Sequence, residues 1–344
     1  MSDAFKPLLT AVCAGKALSR SDAKMAFDAI MSGELTNAQI AGFLVALKVR
    51  GETIEELTGA VSTMREKMTP VSLPAAAKAA AIDIVGTGGD GKGSYNVSTA
   101  TAIVVAAAGV PVAKHGNRAV SSNSGAADVL KALGVNIDLG PSEIGRCIET
   151  AGIGFMFAPM HHSAMKHVGP TRAELGQRTI FNLIGPLSNP AGVTKQLVGV
   201  YDEQWMEPMA RTLHALGCET AWIVHGSDGM DEITTTGITY VVKLEEGSIS
   251  SAAIDPRDYD MALANEADLV GGDADHNAAA LKAVLANEAG AYRDIVLLNA
   301  AAALCVAGAA TSMDRGLETA REVLASGAAT NTLDKLITAS NKAN

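Results

Sequence analysis

The sequence of 344 residues predicts an α/β fold in which a small all-helical domain precedes a larger domain with a central, mostly parallel sheet. Residues 1–70 carry helix start motifs and apolar residues at helical spacing. From Ile82 onward, short apolar strands alternate with helices, which is typical of a parallel sheet covered by helices. Because 48% of the residues are hydrophobic and 4% are aromatic, we expect a mainly aliphatic core.

The N-terminal part contains two capping boxes, which mark helix starts. Thr36 is followed three positions later by Gln39, and Thr53 by Glu56, each ahead of periodic apolar residues. A linker is predicted at residues 70–74, where two prolines flank Val-Ser-Leu, and in the alanine-rich run that follows.

The α/β part is predicted from its alternating segments. The five candidate strands are residues 82–85, 110–114, 153–157, 197–201 and 221–225. The helices between them are expected to start near Val97, Ser124, Ser142 and Glu203. We predict an edge hairpin around residues 239–254 and long Ala/Leu-rich helices from about His276. Ligands of open α/β sheets bind beyond the carboxyl ends of the strands, so polar residues at those ends are site candidates.

The most informative feature is the glycine-rich loop that begins at Gly86, between a short apolar strand and a Ser/Thr-rich helix start. Its five glycines allow backbone N–H groups to approach a phosphate closely. Asn96, Ser98 and Thr99 add side-chain donors at a helix N-terminus, which also favours negative charge. The sequence therefore predicts a site for a phosphorylated or pyrophosphorylated ligand.

Three kinds of phosphate site compete for this loop. Gly86-x-Gly88-x-x-Gly91 fits the dinucleotide fingerprint, but that template needs an acidic residue about 20 positions on, where this chain is basic. The same segment approaches a P-loop, but Gly93 stands where that loop needs Ser or Thr for Mg²⁺. A site for a phosphoribosyl diphosphate is the third, and the other polar clusters support it.

Three further polar clusters follow predicted strands or their connections. Lys114 and Arg118 supply cations after the second strand, and Asp231 and Glu232 place two adjacent carboxylates after the fifth. Residues 172–182 contribute two arginines from the long connection after the third strand. An anion loop beside cations and an acidic pair suits a polyphosphate whose charge is offset by the protein and by Mg²⁺.

The overall composition disfavours several classes of partner. The net charge of −10 argues against nonspecific binding to nucleic acid or to anionic membranes. Four singly scattered cysteines indicate buried thiols in a reducing compartment, which predicts a cytoplasmic location. We expect no signal peptide and no membrane span, since the most apolar window, residues 295–310, is short and alanine-rich.

Several motifs together resemble the anthranilate phosphoribosyltransferase family over almost the whole chain. The motifs are GTGGD at 86–90, NVST at 96–99, KHGNR at 114–118, Arg172, RTIFN at 178–182, NPAG at 189–192 and Asp231-Glu232. The resemblance implies transfer of the 5-phosphoribosyl group from 5-phosphoribosyl 1-diphosphate to the amine of anthranilate, with release of diphosphate, in tryptophan biosynthesis. It also implies a nucleoside phosphorylase/phosphoribosyltransferase-like fold, two Mg²⁺ per subunit, and a homodimer formed through the helical domain.

The resemblance also implies roles for individual residues. The donor would be held by Gly86, Gly89, Asp90, Asn96, Ser98, Thr99, Lys114 and Ser122, and the acceptor carboxylate by Asn117 and Arg172, with His115 and Gly86 along its path. Further substrate contacts are implied for Ser94, Val97, Gly116, Arg118, Ser121 and Ala126. Asp231 and Glu232 would hold one Mg²⁺, and Ser98 the other. Members of the family often carry Ser or Gly at position 126, so Ala126 leaves a backbone contact there. No residue is implied as a catalytic base; Lys114 and Arg172 would support catalysis.

The domain boundaries and two alternatives complete the expectations. By the resemblance, residues 166–186 join residues 1–72 in the helical domain, and residues 73–165 and 187–344 form the α/β domain. A pyrimidine-nucleoside phosphorylase would share the fold and the anion site, but would need groups that recognise a base in place of a carboxylate clamp. A non-catalytic nucleic-acid-binding paralogue should show a basic surface and eroded loop motifs, whereas this chain is acidic and keeps its glycine loop.

Overall fold

A seven-stranded sheet forms the centre of the computed structural model, which describes residues 4–118 and 123–342. The strands are β1 (Ile82–Gly86), β2 (Val112–Gly116), β3 (Ile153–Phe157), β4 (Lys195–Gly199), β5 (Thr220–Gly226), β6 (Thr239–Glu245) and β7 (Ser248–Ile254). Their order across the sheet is β3-β2-β1-β4-β5-β6-β7. The first five strands are parallel, and β6 and β7 are antiparallel. The strand order reverses between β1 and β4, where ligands bind in open α/β sheets.

Sixteen α-helices surround the sheet in the described part of the chain. The first five are α1 (Phe5–Cys13), α2 (Arg20–Met31), α3 (Asn37–Arg50), α4 (Ile54–Lys67) and α5 (Ala75–Ala80). Those between β1 and β5 are α6 (Val97–Ala107), α7 (Ala126–Ala132), α8 (Pro141–Ala151), α9 (Ala158–His161), α10 (Gly169–Leu175), α11 (Phe181–Ile184) and α12 (Met206–Ala215). The last four are α13 (Ala274–Leu285), α14 (Ala291–Ala307), α15 (Met313–Ala325) and α16 (Ala328–Asn341). Short 3₁₀ helices cover Ser163–His167, Glu203–Trp205, Pro256–Tyr259 and Glu266–Leu269.

The helix starts agree closely with the sequence, with one correction. Both capping boxes form: Thr36 and Gln39 begin α3, and Thr53 and Glu56 begin α4. The prediction of a linker was wrong for the alanine-rich run, which is helix α5 and starts after Pro74. Alanine has the highest helix propensity, and proline is compatible with a helix start, so this segment is helical despite its short length.

The strand bounds differ from the predicted ones by one or two residues at most ends. β2 starts at Val112 rather than at residue 110, because Pro111 has no N–H to donate to a neighbouring strand. β4 starts two residues earlier than predicted, since Lys195 pairs with Ile82 of β1 and with Thr220 of β5. The edge hairpin of β6 and β7 is confirmed.

The two faces of the sheet support separate hydrophobic clusters. On β4 and β5, side chains alternate between the faces, so that Leu197 and Trp222 join one cluster while Val198 and Ile223 join the other. The first cluster includes α6, α8 and the C-terminal helices, and the second includes α1 to α4, α11 and α12. The carboxyl ends of the strands therefore lie between these two layers. No helix in residues 4–118 or 123–342 combines the length and the apolar character needed to cross a membrane.

Candidate active site

The candidate site lies where β1 and β2 separate. β1 pairs with β4 along all five of its residues, but with β2 at its first residue. Beyond that point side chains connect the two strands: Lys114 Nζ donates to the carbonyl oxygen of Ile84 at 2.5 Å. The His115 N–H donates to Asp83 Oδ1 at 3.0 Å. The separation of the strands opens a cleft of about 660 Å³ at their carboxyl ends.

The glycine loop, residues 86–96, connects β1 to α6 along this cleft. Gly88 and Gly89 have φ values of +67° and +76°, which strain any residue with a Cβ. Gly86 does not need an unusual φ, but a Cβ there would overlap the Asp231 carboxylate. The glycines therefore allow both the path of the loop and its close contact with the acidic pair.

The acidic pair packs against this loop, with Asp231 buried and Glu232 half-buried. Asp231 Oδ2 accepts the N–H of Gly88 at 2.6 Å, and Glu232 Oε1 accepts the N–H of Ser98 at 3.1 Å. Burial raises the pKa of both carboxyls; the charge of Asp90 adds to this at Asp231, and the charge of Asp231 adds to it at Glu232. The arrangement concentrates negative charge at a place that a bound cation would stabilise.

The carboxylate oxygens available at this place suit Mg²⁺ as ligands. Within the described residues, Asp90 Oδ2 is buried and has no hydrogen-bond partner, while its Oδ1 accepts the N–H of Lys92 at 3.2 Å. No three His, Cys, Asp or Glu side chains of residues 4–118 and 123–342 come together as a metal site of their own. Mg²⁺ commonly binds through one or two carboxylates, with water and substrate phosphates completing its shell.

Lys114 is a buried cation at the centre of the site, with 2% of its surface exposed. Its Nζ also lies 3.2 Å from Ser98 Oγ. Burial lowers the pKa of Lys114, and the charges of Asp83, Glu232 and Asp231 act in the opposite direction. The lysine therefore compensates part of the charge of the three carboxylates and lines the cleft.

Two uncharged histidines lie further along the cleft. The Nε2 atoms of His115 and His162 are 3.2 Å apart, and their ring centroids are 5.0 Å apart. Burial lowers the pKa of His115, and it lowers the pKa of His162 to about 4. The charge of a neighbouring histidine, His162 beside His115 and His161 beside His162, acts in the same direction. At neutral pH this wall of the cleft is polar but carries no charge.

Arg172, on α10, brings a cation to the lining of the cleft. Its guanidinium carbon lies 5.7 Å from the centroid of the Phe181 ring, and burial lowers its pKa. Arg118 lies 5.6 Å from the centroid of Phe157. Guanidinium groups bind carboxylates with two parallel hydrogen bonds, so these arginines suit a planar acid.

The structure brings together nearly all the residues that the sequence singled out. The cleft is lined by Gly86, Gly89, Asp90, Ser94, Asn96, Val97, Ser98, Lys114, His115, Gly116, Asn117, Arg118, Ala126, Arg172, Asp231 and Glu232. Thr99 is different: it is 1% exposed within α6 and is not part of the lining. Ser121 and Ser122 lie outside the described residues.

Sequence reasoning placed Arg178 in a polar cluster but assigned it no contact of its own, and the structure shows a long-range contact with the loop. Its Nη2 donates to the carbonyl oxygen of Gly89, and its guanidinium carbon lies 4.2 Å from the ring centroid of Tyr201. Its place in the motif Arg-Thr-Ile-Phe-Asn was the available signal, but nothing in the spacing indicates a contact with a residue 89 positions away.

The roles of two buried asparagines that support the site were also missed. Asn189 Nδ2 donates to Asp83 Oδ2 at 2.7 Å and to the carbonyl oxygen of Ala113 at 2.9 Å, and so connects β1 to β2. Asn299 holds both backbone groups of Ile233, directly after the acidic pair, at 3.0 and 2.7 Å. The signal for Asn299 was a polar residue inside the apolar window 295–310, which sequence reasoning considered only to exclude a membrane span.

Comparison with family models divides the chain in two. The model described as the glycosyl transferase family, a/b domain, matches residues 78–330. The model described as the glycosyl transferase family, helical bundle domain, matches residues 6–68.

Curated relatives and solved structures match this chain over all or nearly all of its length and carry the same enzyme name. The chain is 58% identical to the anthranilate phosphoribosyltransferase of Rhizobium meliloti over 343 residues, covering 100% of both chains. The crystal structure of the Thermus thermophilus enzyme of the same name has a TM-score of 0.91 at 42% identity, covering 97% of this chain and 99% of that one. The Saccharomyces cerevisiae enzyme in complex with PRPP and Mg has a TM-score of 0.86 at 28% identity, covering 94% and 93%. A further structure of the yeast enzyme contains 4-fluoroanthranilate, with a TM-score of 0.84 at 26% identity and the same coverage.

Proposed function

The chain belongs to the anthranilate phosphoribosyltransferase family, and we propose that it transfers the 5-phosphoribosyl group from 5-phosphoribosyl 1-diphosphate to the amine of anthranilate. The products are diphosphate and N-(5-phosphoribosyl)anthranilate, an intermediate of tryptophan biosynthesis. One observation carries the proposal: a single cleft is lined by an anion loop, a buried lysine and an acidic pair, and also by Arg118 and Arg172. The first set suits a diphosphate with Mg²⁺, and the arginines suit a carboxylate.

The binding site of the phosphoribosyl donor is assigned to the glycine loop and its neighbours. Backbone N–H groups of the loop, the Asn96 and Ser98 side chains and Lys114 are the donors available for its phosphate oxygens. We assign one Mg²⁺ to Asp231 and Glu232 and a second to Ser98, two per subunit in total. The buried, unpartnered Asp90 Oδ2 and the raised pKa values of the acidic pair support a cation here. When bound, Mg²⁺ neutralises charge on the diphosphate as it leaves.

The magnesium assignment is tested by removing the acidic pair. Asp231→Asn with Glu232→Gln keeps the shape of both side chains but removes their charge, so the Mg²⁺ concentration for half-maximal activity should rise at least about tenfold. A Mg²⁺ titration that matches the native enzyme's would exclude these residues as ligands.

The acceptor is assigned to the part of the cleft lined by Asn117 and Arg172. Asn117 and Arg172 would bind the carboxylate of anthranilate, and His115 would line its path. The lowered pKa values of His115 and His162 favour a neutral wall beside the amine. A neutral aromatic amine attacks C1′ directly, so no residue is needed as a base before the attack.

The reaction then depends mainly on position and charge. The C1′–O bond breaks with its electron pair leaving on the diphosphate, the C1′–N bond forms with inversion, and the nitrogen then releases one proton to water. The protein holds the two substrates in line, and Lys114 with the backbone amides stabilises the charge that develops on the leaving group. Because the protein acts by positioning the substrates and stabilising charge, the site needs several charged binding groups, and no nucleophilic side chain is assigned.

A direct assay tests the reaction. Anthranilate fluorescence should fall when the enzyme, 5-phosphoribosyl 1-diphosphate and Mg²⁺ are all present, and should stay constant when any one is omitted. Incubation with thymidine and inorganic phosphate provides the contrasting arm. Release of thymine without loss of anthranilate would replace the proposal with nucleoside phosphorolysis.

We also propose the domain division expected from the sequence, with residues 1–72 and 166–186 in the helical domain and residues 73–165 and 187–344 in the α/β domain. Packing of α10 on α3 and of α11 on α4 supports the assignment of the later segment. The cytoplasm is the proposed location, supported by four free cysteines, which suit a reducing compartment.

The helical domain is proposed to form a homodimer through the exposed side of α3. Val45 and Val49 are 39% and 82% exposed there, and Gly42 on the same side has open space beside it. Light scattering should give a dimer for the native protein and a monomer for Val49→Lys, with Val49→Ala as the control. A native monomer, or a dimer of Val49→Lys, would contradict this interface.

A further inference from the structure

Asn277 contacts the last residue of the glycine loop, although it does not line the cleft. It lies in the first turns of α13 and is 1% exposed. Its Nδ2 donates to Asn96 Oδ1 at 3.0 Å, across a separation of 181 positions in the chain. Its own Oδ1 accepts the N–H of Gly272 at 2.7 Å. A buried side chain thus connects the segment before α13 to a residue of the cleft.

The side chain of Asn96 is held from two sides. Asn96 precedes α6, where an asparagine commonly caps the helix with its side chain, but here its side chain makes no capping hydrogen bond. Instead its Oδ1 accepts from Asn277, and its Nδ2 donates to the carbonyl oxygen of Ser124 at 3.1 Å. One N–H of the Asn96 amide remains for a ligand, because an amide nitrogen carries two.

The direction of every hydrogen bond in this chain of contacts is fixed by its two ends. The N–H of Gly272 can only donate, so Asn277 must present its oxygen there and its NH₂ group to Asn96. The carbonyl of Ser124 can only accept, so Asn96 must present its NH₂ group on that side. Both ends therefore require the same orientation of the two amides.

We propose that Asn277 is a positioning residue that holds the Asn96 amide with its NH₂ group toward the donor diphosphate. The inference rests on the proposed function, in which the glycine loop binds 5-phosphoribosyl 1-diphosphate. In this orientation Asn96 offers a hydrogen-bond donor to an anionic oxygen. In the reversed orientation it would present a carbonyl oxygen, which repels the same group.

Asn277→Asp tests the orientation without removing the contact to Gly272. The carboxylate still accepts the Gly272 N–H, but it has no donor for Asn96. The Asn96 amide therefore reverses to donate to the carboxylate and gives up its hydrogen bond to the Ser124 carbonyl, because a charged acceptor binds an N–H more strongly than a neutral one. The dissociation constant of 5-phosphoribosyl 1-diphosphate with Mg²⁺, measured by calorimetry, should rise about tenfold or more, as expected for a lost hydrogen bond to a charged group. The donor KM should rise accordingly, and the anthranilate KM should stay constant.

A double-mutant cycle separates orientation from the added charge. In an Asn96→Ala background, Asn277→Asp should cost little further donor affinity, because there is no amide left to reverse. Asn265→Asp is the matched control, since it adds the same charge at an exposed position of the same segment, and should bind the donor normally. If Asn277→Asp costs as much in the Asn96→Ala background as in the native one, or nothing in either, the inference is wrong.

Two further measurements keep the outcome clear. Asn277→Ala removes the contact without adding charge and should weaken donor binding several-fold. It replaces Asn277→Asp if that variant does not fold. Native-like donor affinity in folded Asn277→Ala would also contradict the inference. Native enzyme that binds no 5-phosphoribosyl 1-diphosphate would instead overturn the proposed function, and this inference with it.

Discussion

At the scale of single residues, the two central cations of the site differ in how they are bonded. Lys114 is buried and already donates to the carbonyl of Ile84 and to Ser98. Within the described residues, Arg172 contacts the Phe181 ring and forms no ion pair. Arg172 therefore has donors available for a ligand, whereas much of the hydrogen bonding of Lys114 is used to hold the strands and the donor site together.

This difference predicts a selective effect of Arg172→Ala on the acceptor. A charge-assisted contact contributes roughly 1.5–3 kcal/mol, so the anthranilate KM should rise about 10- to 150-fold while the donor KM changes little. Steady-state kinetics with each substrate varied in turn measure both values. Aniline, which lacks the carboxylate, should be a poor acceptor that loses little further activity in the variant. Equal losses for both substrates, or for aniline and anthranilate, would show that Arg172 does not bind the carboxylate.

The histidine wall predicts a dependence of stability on pH. The pKa of His162 falls from 6.5 to about 4 in the folded state, so the unfolded chain binds the proton more tightly. The stability contribution is therefore fully present above pH 6.5 and is lost as the pH falls toward 4, by roughly 1–3 kcal/mol. His162→Gln cannot be protonated in this range and keeps a hydrogen-bonding group for His115. Thermal unfolding at pH 7.5, 6 and 5 should show a smaller acid loss in this variant; parallel curves would contradict the burial argument.

At the scale of elements, the site is made by the separation of β1 from β2. Asp83 connects the strands through the N–H of His115, and Asn189 connects them through Asp83 and Ala113. Side chains therefore replace part of the backbone ladder, and the space gained holds the glycine loop and the cleft. Such a separation is a property of tertiary packing, since neither strand contains proline or another local cause.

The loop predicts that the same strain has different consequences at two glycines. Gly88→Ala and Gly217→Ala both place a Cβ at positive φ, +67° and +84°, with open space around it, and each should cost about 1–2 kcal/mol of stability. Only Gly88→Ala should also weaken binding of 5-phosphoribosyl 1-diphosphate, because its N–H contacts Asp231 and its loop holds the donor. Calorimetry and thermal unfolding of both variants check this. Equal donor affinities would exclude this part of the loop from the donor site.

The sequence predicted the elements far better than the contacts between them. Capping boxes, the glycine loop and strand alternation are local patterns, so α3, α4, β1 and the hairpin were found from the residues alone. The start of β2 was missed because Pro111, although visible, was not used as a strand boundary. Contacts such as Asn277 with Asn96 connect residues far apart in the chain, and no local pattern encodes them. The family resemblance predicted site residues, most of which line one cleft, but it gave none of their hydrogen-bond partners within the protein.

At the scale of the whole molecule, the glycine loop is held by distant parts of the chain on several sides. The segment before α13 pairs with it through Ser94 and Val270, and Lys92 forms an ion pair with Glu266 at 3.2 Å. On another side, Arg178 reaches it from the connection between α10 and α11. A loop so rich in glycine has high conformational freedom, so these contacts reduce the entropy that donor binding must remove.

Arg178 provides the test of this view, because it contacts the loop without being assigned to either substrate. Arg178→Ala removes its hydrogen bond to Gly89 and its contact with the Tyr201 ring. Since the side chain is exposed, we expect a modest loss of about 3- to 30-fold in donor affinity. Amide hydrogen exchange in residues 88–93 should become faster at the same time. Arg211→Ala, which removes another exposed arginine that pairs with Glu207, is the control and should change neither quantity.

A second variant distinguishes loop ordering from direct binding of the donor by Arg178. Tyr201→Leu removes the ring on which the guanidinium rests but leaves the charge in place. If the ring holds Arg178 against the loop, Tyr201→Leu should weaken donor binding in the native background and add little in the Arg178→Ala background. It should also speed exchange of the loop amides before any donor is added. If exchange in the free enzyme is unchanged while donor affinity falls, Arg178 acts on the donor itself, and the contacts with Gly89 and Tyr201 do not order the loop.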